Sequence, residues 1–138
     1  LGVDAFLFYP ADLGEKKDLS EKQLERLRQL TIAAIKQSGR LFLPHLEILP
    51  SLSHLLAHSS PIYYGDIHTA APPLCSPPFP PPFITGPESG FSEMESLLLQ
   101  QKAQGVKLSS LTLRAETAPL AAASILSWQL FFSLSNKK

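Results

Sequence analysis

The chain has 138 residues, and twelve Lys plus Arg balance twelve Asp plus Glu, so binding of a polyanion by bulk charge alone is excluded. With 44% hydrophobic and 17% charged residues it is too apolar to be disordered, and its length suits one domain with a real core. One cysteine, Cys75, excludes an intramolecular disulfide framework and a multi-cysteine zinc module and points to a reducing compartment.

The chain opens at once on an apolar, aromatic run with no charged leader or small-residue cleavage site, which reads as an internal piece of a longer protein. Val3 to Tyr9 is expected to be a buried strand, ended by Pro10 and Gly14. Ser20 and Gln23 form a capping box, and Leu24, Leu27, Thr31, Ala34 and Ile35 recur at helical spacing as far as Ser38. Gly39 ends that amphipathic helix. Leu41 to Leu49 reads as a second strand, Pro50-Ser51 starts a short helix through His58, and Pro61 to Gly65 is a third strand.

Nine of the thirteen prolines fall between Pro61 and Pro87, so Ala71 to Pro82 cannot be regular structure. That stretch reads as a stiff surface loop; a polyproline ligand for a partner domain is the alternative. Phe83 to Thr85 is a short strand, followed by a turn from Gly86 to Phe91. Ser92 and Glu95 form a second capping box for a helix to about Gln104, with Gly105 as its C-cap. Val106 to Leu108 is a fifth strand. The last helix runs from Thr117, its expected N-cap, to Ser133, with Pro119 in the first turn. Strands alternating with helices predict an α/β domain with a mostly parallel sheet. The segment from Ala118 to Asn136 carries no charge, but its serines, Gln129 and early proline favour a buried helix over a membrane span.

A strand, a Gly-Pro-x-x-Gly turn and a capped helix make a small-molecule cradle, and equally an ordinary strand-to-helix turn. The turn at Gly86 is neither a dinucleotide fingerprint nor a phosphate loop. In open α/β sheets ligands bind beyond the carboxyl ends of strands, and two such ends follow Thr85 and Leu108. His54, His58, His68 and Cys75 match no usual zinc spacing, and His54 and His58 are expected to be exposed. No Gly-x-Ser-x-Gly elbow is present. Glu88 and Glu116 could pair as acid and base, or merely favour the helix entries beside them.

Ile84-Thr-Gly-Pro-Glu-Ser-Gly-Phe-Ser92, followed by Leu108-Ser-Ser-Leu-Thr-Leu-Arg-Ala-Glu-Thr-Ala-Pro-Leu-Ala-Ala121, resembles the RsmE-type family. These are small-subunit ribosomal RNA uridine-N3 methyltransferases of the SPOUT class. Ala34-Ile-Lys-Gln-Ser-Gly-Arg-Leu-Phe-Leu-Pro44 is similar to a second block of that family, and Leu1-Gly-Val-Asp4 to the start of its methyltransferase domain. The resemblance implies S-adenosylmethionine as cofactor, a C-terminal trefoil knot, a homodimer, a cytoplasmic enzyme, and a PUA-like RNA-binding domain upstream. It places Gly86, Glu88 and Gly90 in a first cofactor loop and Leu108, Thr112 and Leu113 in a second, with Ala118 at the start of the knot helix and Tyr64 and Gly65 as the remaining wall. Gln37 and Arg40, with Arg114 and Glu116, match polar positions that would place uracil or phosphate.

N3 of uracil bears a proton, so an enzyme must remove it or stabilise the resulting anion. Arg114 is expected to stabilise the anion, with Glu116 holding its guanidinium or relaying the proton; the alternative is that the pair only pins a loop. Two departures from the family pattern stand out. Ser89 and Ser109 replace glycines, and serine resists positive φ at a cost of roughly 1 kcal/mol, so reshaped loops are expected. The last helix is apolar almost all round, which demands burial on more than one side and predicts a dimer through it. The function expected is methylation of uridine N3 in small-subunit (16S) ribosomal RNA, without membrane or metal. The alternative is a degenerate, non-catalytic SPOUT domain that binds RNA or protein.

Overall fold

The computed structural model describes residues 1–16, 18–58, 61–68, 70–74 and 81–135. Cys75 and the middle of the Pro-rich stretch lie outside them. The element order is β1 (Ala5–Phe8), α1 (Glu21–Ser38), β2 (His45–Ile48), α2 (Leu52–His58), β3 (Tyr63–Gly65), β4 (Phe83–Ile84), α3 (Glu93–Lys102), β5 (Gln104–Val106) and α4 (Ala118–Ser135). All strand pairs are parallel, as the alternation of strands and helices predicts. They fall into two sheets rather than one: β1 beside β2, and β4-β3-β5 with β3 in the centre.

The two capping boxes are both formed. Ser20 accepts from the amide of Gln23, Ser92 accepts from that of Glu95, and each partner side chain returns a bond to the cap amide. Gly39 closes α1 in the left-handed region at φ +69°. The second strand is shorter than expected. Pro44 lacks an amide donor and delays pairing until His45, leaving Leu41 and Phe42 outside the ladder and exposed.

Gly105 is not a helix cap. α3 stops at Lys102, Ala103 is extended at φ −136°, and Gly105 pairs with Tyr64 inside β5. β5 therefore begins two residues earlier than expected, and Lys107 continues it with a bridge to Pro73. A Cβ at Gly105 would stand 2.7 Å from the Asp66 carboxylate and 2.9 Å from the Tyr64 hydroxyl, so a side chain there would push those two groups aside.

The core gathers Leu49, Leu52, Leu55 and Leu56 from the β2–α2 segment, Ile62 and Tyr64 around β3, Ile84 of β4 and Leu99 of α3. Leu7 and Tyr9 pack against this cluster from β1 and so join the two sheets through one apolar interior. Leu99 is fully buried, and its truncation to Ala would cost roughly 2–5 kcal/mol.

Two helices are less covered than the sequence leads one to expect. No residue of α1 is buried, although Leu24, Leu27, Thr31 and Ile35 are half-covered. In α4 only Ala122 is buried, so the expected burial on more than one side is not achieved within a single chain. By length and composition alone α4 could cross a membrane. Its entry is a turn in which the amides of Thr117 and Ala118 both donate to the Arg114 carbonyl, and the Thr117 carbonyl accepts from Ala121.

Candidate functional site

Parallel pairing sets the carboxyl ends of β4, β3 and β5 side by side, with Tyr64 in register with Ile84 on one side and Gly105 on the other. The segments leaving these ends are 85–91, 66–68 and 107–117. Backbone bonds hold the chain after β3 against β5 and its extension, since the Asp66 amide donates to the Val106 carbonyl at 2.9 Å and the Leu74 amide to the Lys107 carbonyl at 2.9 Å. This is where parallel sheets present ligand-binding loops.

The first segment turns through Pro87–Gly90, closed by the Gly90 amide on the Pro87 carbonyl at 2.9 Å. Gly90 adopts φ +77°, whereas every described non-glycine residue has negative φ. The strain expected at Ser89 and Ser109 is therefore absent, because neither serine occupies the left-handed region. Ser109 instead uses its hydroxyl to accept from the Leu111 amide at 3.2 Å. Gly86 lies against the Phe91 ring, where a Cβ would sit at 3.2 Å, and Phe91 meets the Tyr64 ring edge-on at 6.1 Å. Phe91 thus couples the first segment to β3.

That segment is also anchored from outside. The Ser92 hydroxyl donates to the Asp12 carboxylate at 2.5 Å, and the buried Glu95 carboxylate accepts from the amides of both Ser92 (2.9 Å) and Asp12 (3.1 Å). The loop after β1 is thereby fixed to the start of α3. Capping spacing in the sequence reveals Glu95, but nothing in it reveals Asp12, eighty residues away from Ser92.

Tyr64 is buried with its hydroxyl bonded to Asp66; burial, then the Asp66 charge and that bond, push the phenol pKa up. Gly65 faces the opposite side, against the Phe83 ring. Glu88 is exposed on the turn. Leu108, Leu113 and Ala118 are half-buried and Thr112 is exposed. Arg114 and Glu116 stand 3.8 Å apart, with side chains 86% and 65% exposed, a surface pair of small energetic weight.

Gln37 and Arg40 stand apart from this group. Gln37 is exposed near the end of α1, and the Arg40 guanidinium grips the Val3 carbonyl and Asp4 carboxylate. Asp4 precedes β1, so Arg40 clasps the amino end of a strand, opposite the loop-bearing carboxyl ends. His54 and His58 are exposed on α2, as expected, with rings 4.5 Å apart. Among the described residues no three His, Cys, Asp or Glu side chains converge as a metal site.

Comparison with known proteins agrees with this architecture. The chain is 31% identical over 123 residues to ribosomal RNA small subunit methyltransferase E of Aquifex aeolicus (strain VF5), covering 81% of this chain and 51% of the relative. The crystal structure of a ribosomal RNA small subunit methyltransferase E from Neisseria gonorrhoeae bound to S-adenosyl methionine superposes with a TM-score of 0.74 at 28% identity, over 94% of this chain and 57% of that one. Lpg2936 from Legionella pneumophila, in complex with the bound cofactor SAM, superposes with a TM-score of 0.72 at 25% identity, over 88% and 52%. The chain spans about half the length of these relatives. Residues 1–127 match the family model described as the RNA methyltransferase domain, and with the parallel strands and the loops at their carboxyl ends this makes the chain a member of that family.

Proposed function

We propose that this domain binds S-adenosylmethionine at the carboxyl ends of β3, β4 and β5 and methylates N3 of a uridine in small-subunit ribosomal RNA, in a cytoplasmic enzyme. The observation that supports the reading is the adjacency of the three strand ends, from which the segments that carry Tyr64 and Gly65, Gly86, Glu88 and Gly90, and 107–117 emerge. The donor set there suits the cofactor. It offers backbone groups, aromatic walls and the Asp66 carboxylate to a cationic nucleoside, and it lacks the Gly-Lys-Ser/Thr pattern that a phosphate would require. When bound, the cofactor supplies an electrophilic methyl group.

The chain's own part is to hold the loops and to manage the uracil proton. Arg114, carried by the turn that opens α4, has its guanidinium free in solvent apart from the Glu116 contact, and so can meet the anion delocalised over O2 and O4. Glu116 would orient it or take the N3 proton. Arg40 serves better as a clasp for β1 than as an RNA contact, since Nη1 and Nη2 already hold the Val3 carbonyl and the Asp4 carboxylate; Gln37 keeps an exposed amide for phosphate.

Two further features extend the reading. Leu74 lies beside Lys107, outside β5, whereas β4 pairs on the other side of β3; Gln129 of α4 donates to the Leu74 carbonyl at 3.3 Å. The contact between α4 and Leu74 supports the reading that α4 belongs to the C-terminal trefoil knot that the family resemblance implies. The apolar face that α4 leaves open we assign to a second copy of the chain.

Calorimetric titration with S-adenosylmethionine tests the site, and saturable binding is expected. Arg114→Ala is then expected to keep that affinity and lose methyl transfer to ribosomal RNA by 10²-fold or more. Absence of binding at millimolar ligand would instead favour a non-catalytic RNA- or protein-binding module.

A further inference from the structure

β3 is the central strand, and Asp66, the residue after it, continues the alternation on the same face as Tyr64. The Asp66 carboxylate directly follows β3, with its side chain 15% exposed. It is a built feature. The Tyr64 hydroxyl donates to it, Oδ1 accepts from the His68 amide at 2.9 Å, and both Oδ2 and the Tyr64 hydroxyl occupy space that a Cβ at Gly105 would take. Tyr64 of β3, His68 of the segment that follows it and Gly105 of β5 thus all adjoin one carboxylate.

Its hydrogen-bond donors are a phenol and an amide, both neutral. Among the described residues the basic group within 4.0 Å is the exposed His68 imidazole, at 4.0 Å. Two protein donors take up part of its acceptor capacity, and what sets it apart for a cationic ligand is its negative charge. Charge acts without directional contact, and near 5 Å in a half-buried setting it is felt strongly.

We infer that Asp66 is a specificity-determining residue that selects the cationic sulfonium of the cofactor over the neutral thioether left after methyl transfer. This rests on the cofactor reading above. The carboxylate favours S-adenosylmethionine on entry and has no charge to hold in the product, which eases exchange. A hydrogen bond from Asp66 to the ribose or to the amino acid group would behave differently, since both ligands share those parts.

The test is calorimetric titration of the 138-residue chain with S-adenosylmethionine and S-adenosylhomocysteine, for the wild type, Asp66→Asn and Tyr64→Phe. Asp66→Asn is expected to weaken the sulfonium ligand about tenfold while leaving the thioether within about twofold. Tyr64→Phe removes the phenol that disperses the carboxylate charge and is expected to widen the same ratio by a smaller factor, which keeps the inference testable if Asp66→Asn unfolds. Equal loss for both ligands, or an unchanged ratio in the folded variants, overturns it. Failure of the wild type to bind either ligand overturns the cofactor reading itself.

Discussion

Ser89 and Gly90 are neighbours in one turn, yet only one of them needs to be glycine. Gly90 is held at φ +77° with open space where a Cβ would project, so a side chain there meets no atom and the whole penalty is conformational. Gly90→Ala should lower stability by about 1 kcal/mol, while Ser89→Gly should give no gain, both read from denaturant midpoints. Tyr9 and Tyr64 allow a second residue-level test. Burial, reinforced by Glu95 and Asp12 for Tyr9 and by Asp66 for Tyr64, raises both phenol pKa values. The unfolded chain therefore ionises first, near pH 10, so stability is intact below that pH and falls as pH rises above it. Unfolding free energies measured on both sides of pH 10 should show the fall, and Tyr9→Phe should flatten it. A pH-independent stability there would contradict the assignment.

The start of α3 does more than begin a helix. Glu95 completes the capping box and also holds the Asp12 amide, so one buried carboxylate joins the post-β1 loop to the turn that carries Gly86 and Gly90. A glutamine can accept at one of these two amides but turns an N–H toward the other. Glu95→Gln should therefore cost about 1–3 kcal/mol and weaken cofactor binding as the turn loosens. Thermal melts and titration on the same sample would check it; an unchanged affinity in the destabilised variant would separate the anchor from the site. α4 presents the opposite case. Its residues specify a helix firmly, but Trp128, Phe131, Phe132 and Leu134 remain exposed, with Trp128 stacked on Phe131 at 6.1 Å.

At the scale of the molecule, that apolar helix calls for a partner surface, because large contiguous apolar patches are rare on monomers. The dimer assigned to it predicts twice the chain mass by light scattering at micromolar concentration. Trp128→Glu with Phe131→Glu should shift the population to monomer, each buried aromatic being worth roughly 1.5–3 kcal/mol. A monomeric wild type would remove α4 as the interface.

Local chemistry wrote much of this protein into its sequence. Both capping boxes, the glycine that ends α1, the α/β alternation and the Gly86–Gly90 turn follow from forces that act over a few residues, and each stands where the spacing puts it. Gly105 shows the limit: a cap and a close-approach glycine look alike along a chain, and only the Tyr64–Asp66 pair crossing from the neighbouring strand distinguishes them. The same holds for Arg40, whose clasp on Asp4 needs β1 and β2 to be paired first, and for Asp12 and Glu95, joined across eighty-three positions. Propensity and capping are decided by near neighbours. Which carboxylate meets which donor across the sheet is decided by packing, and packing exists only once the chain has folded.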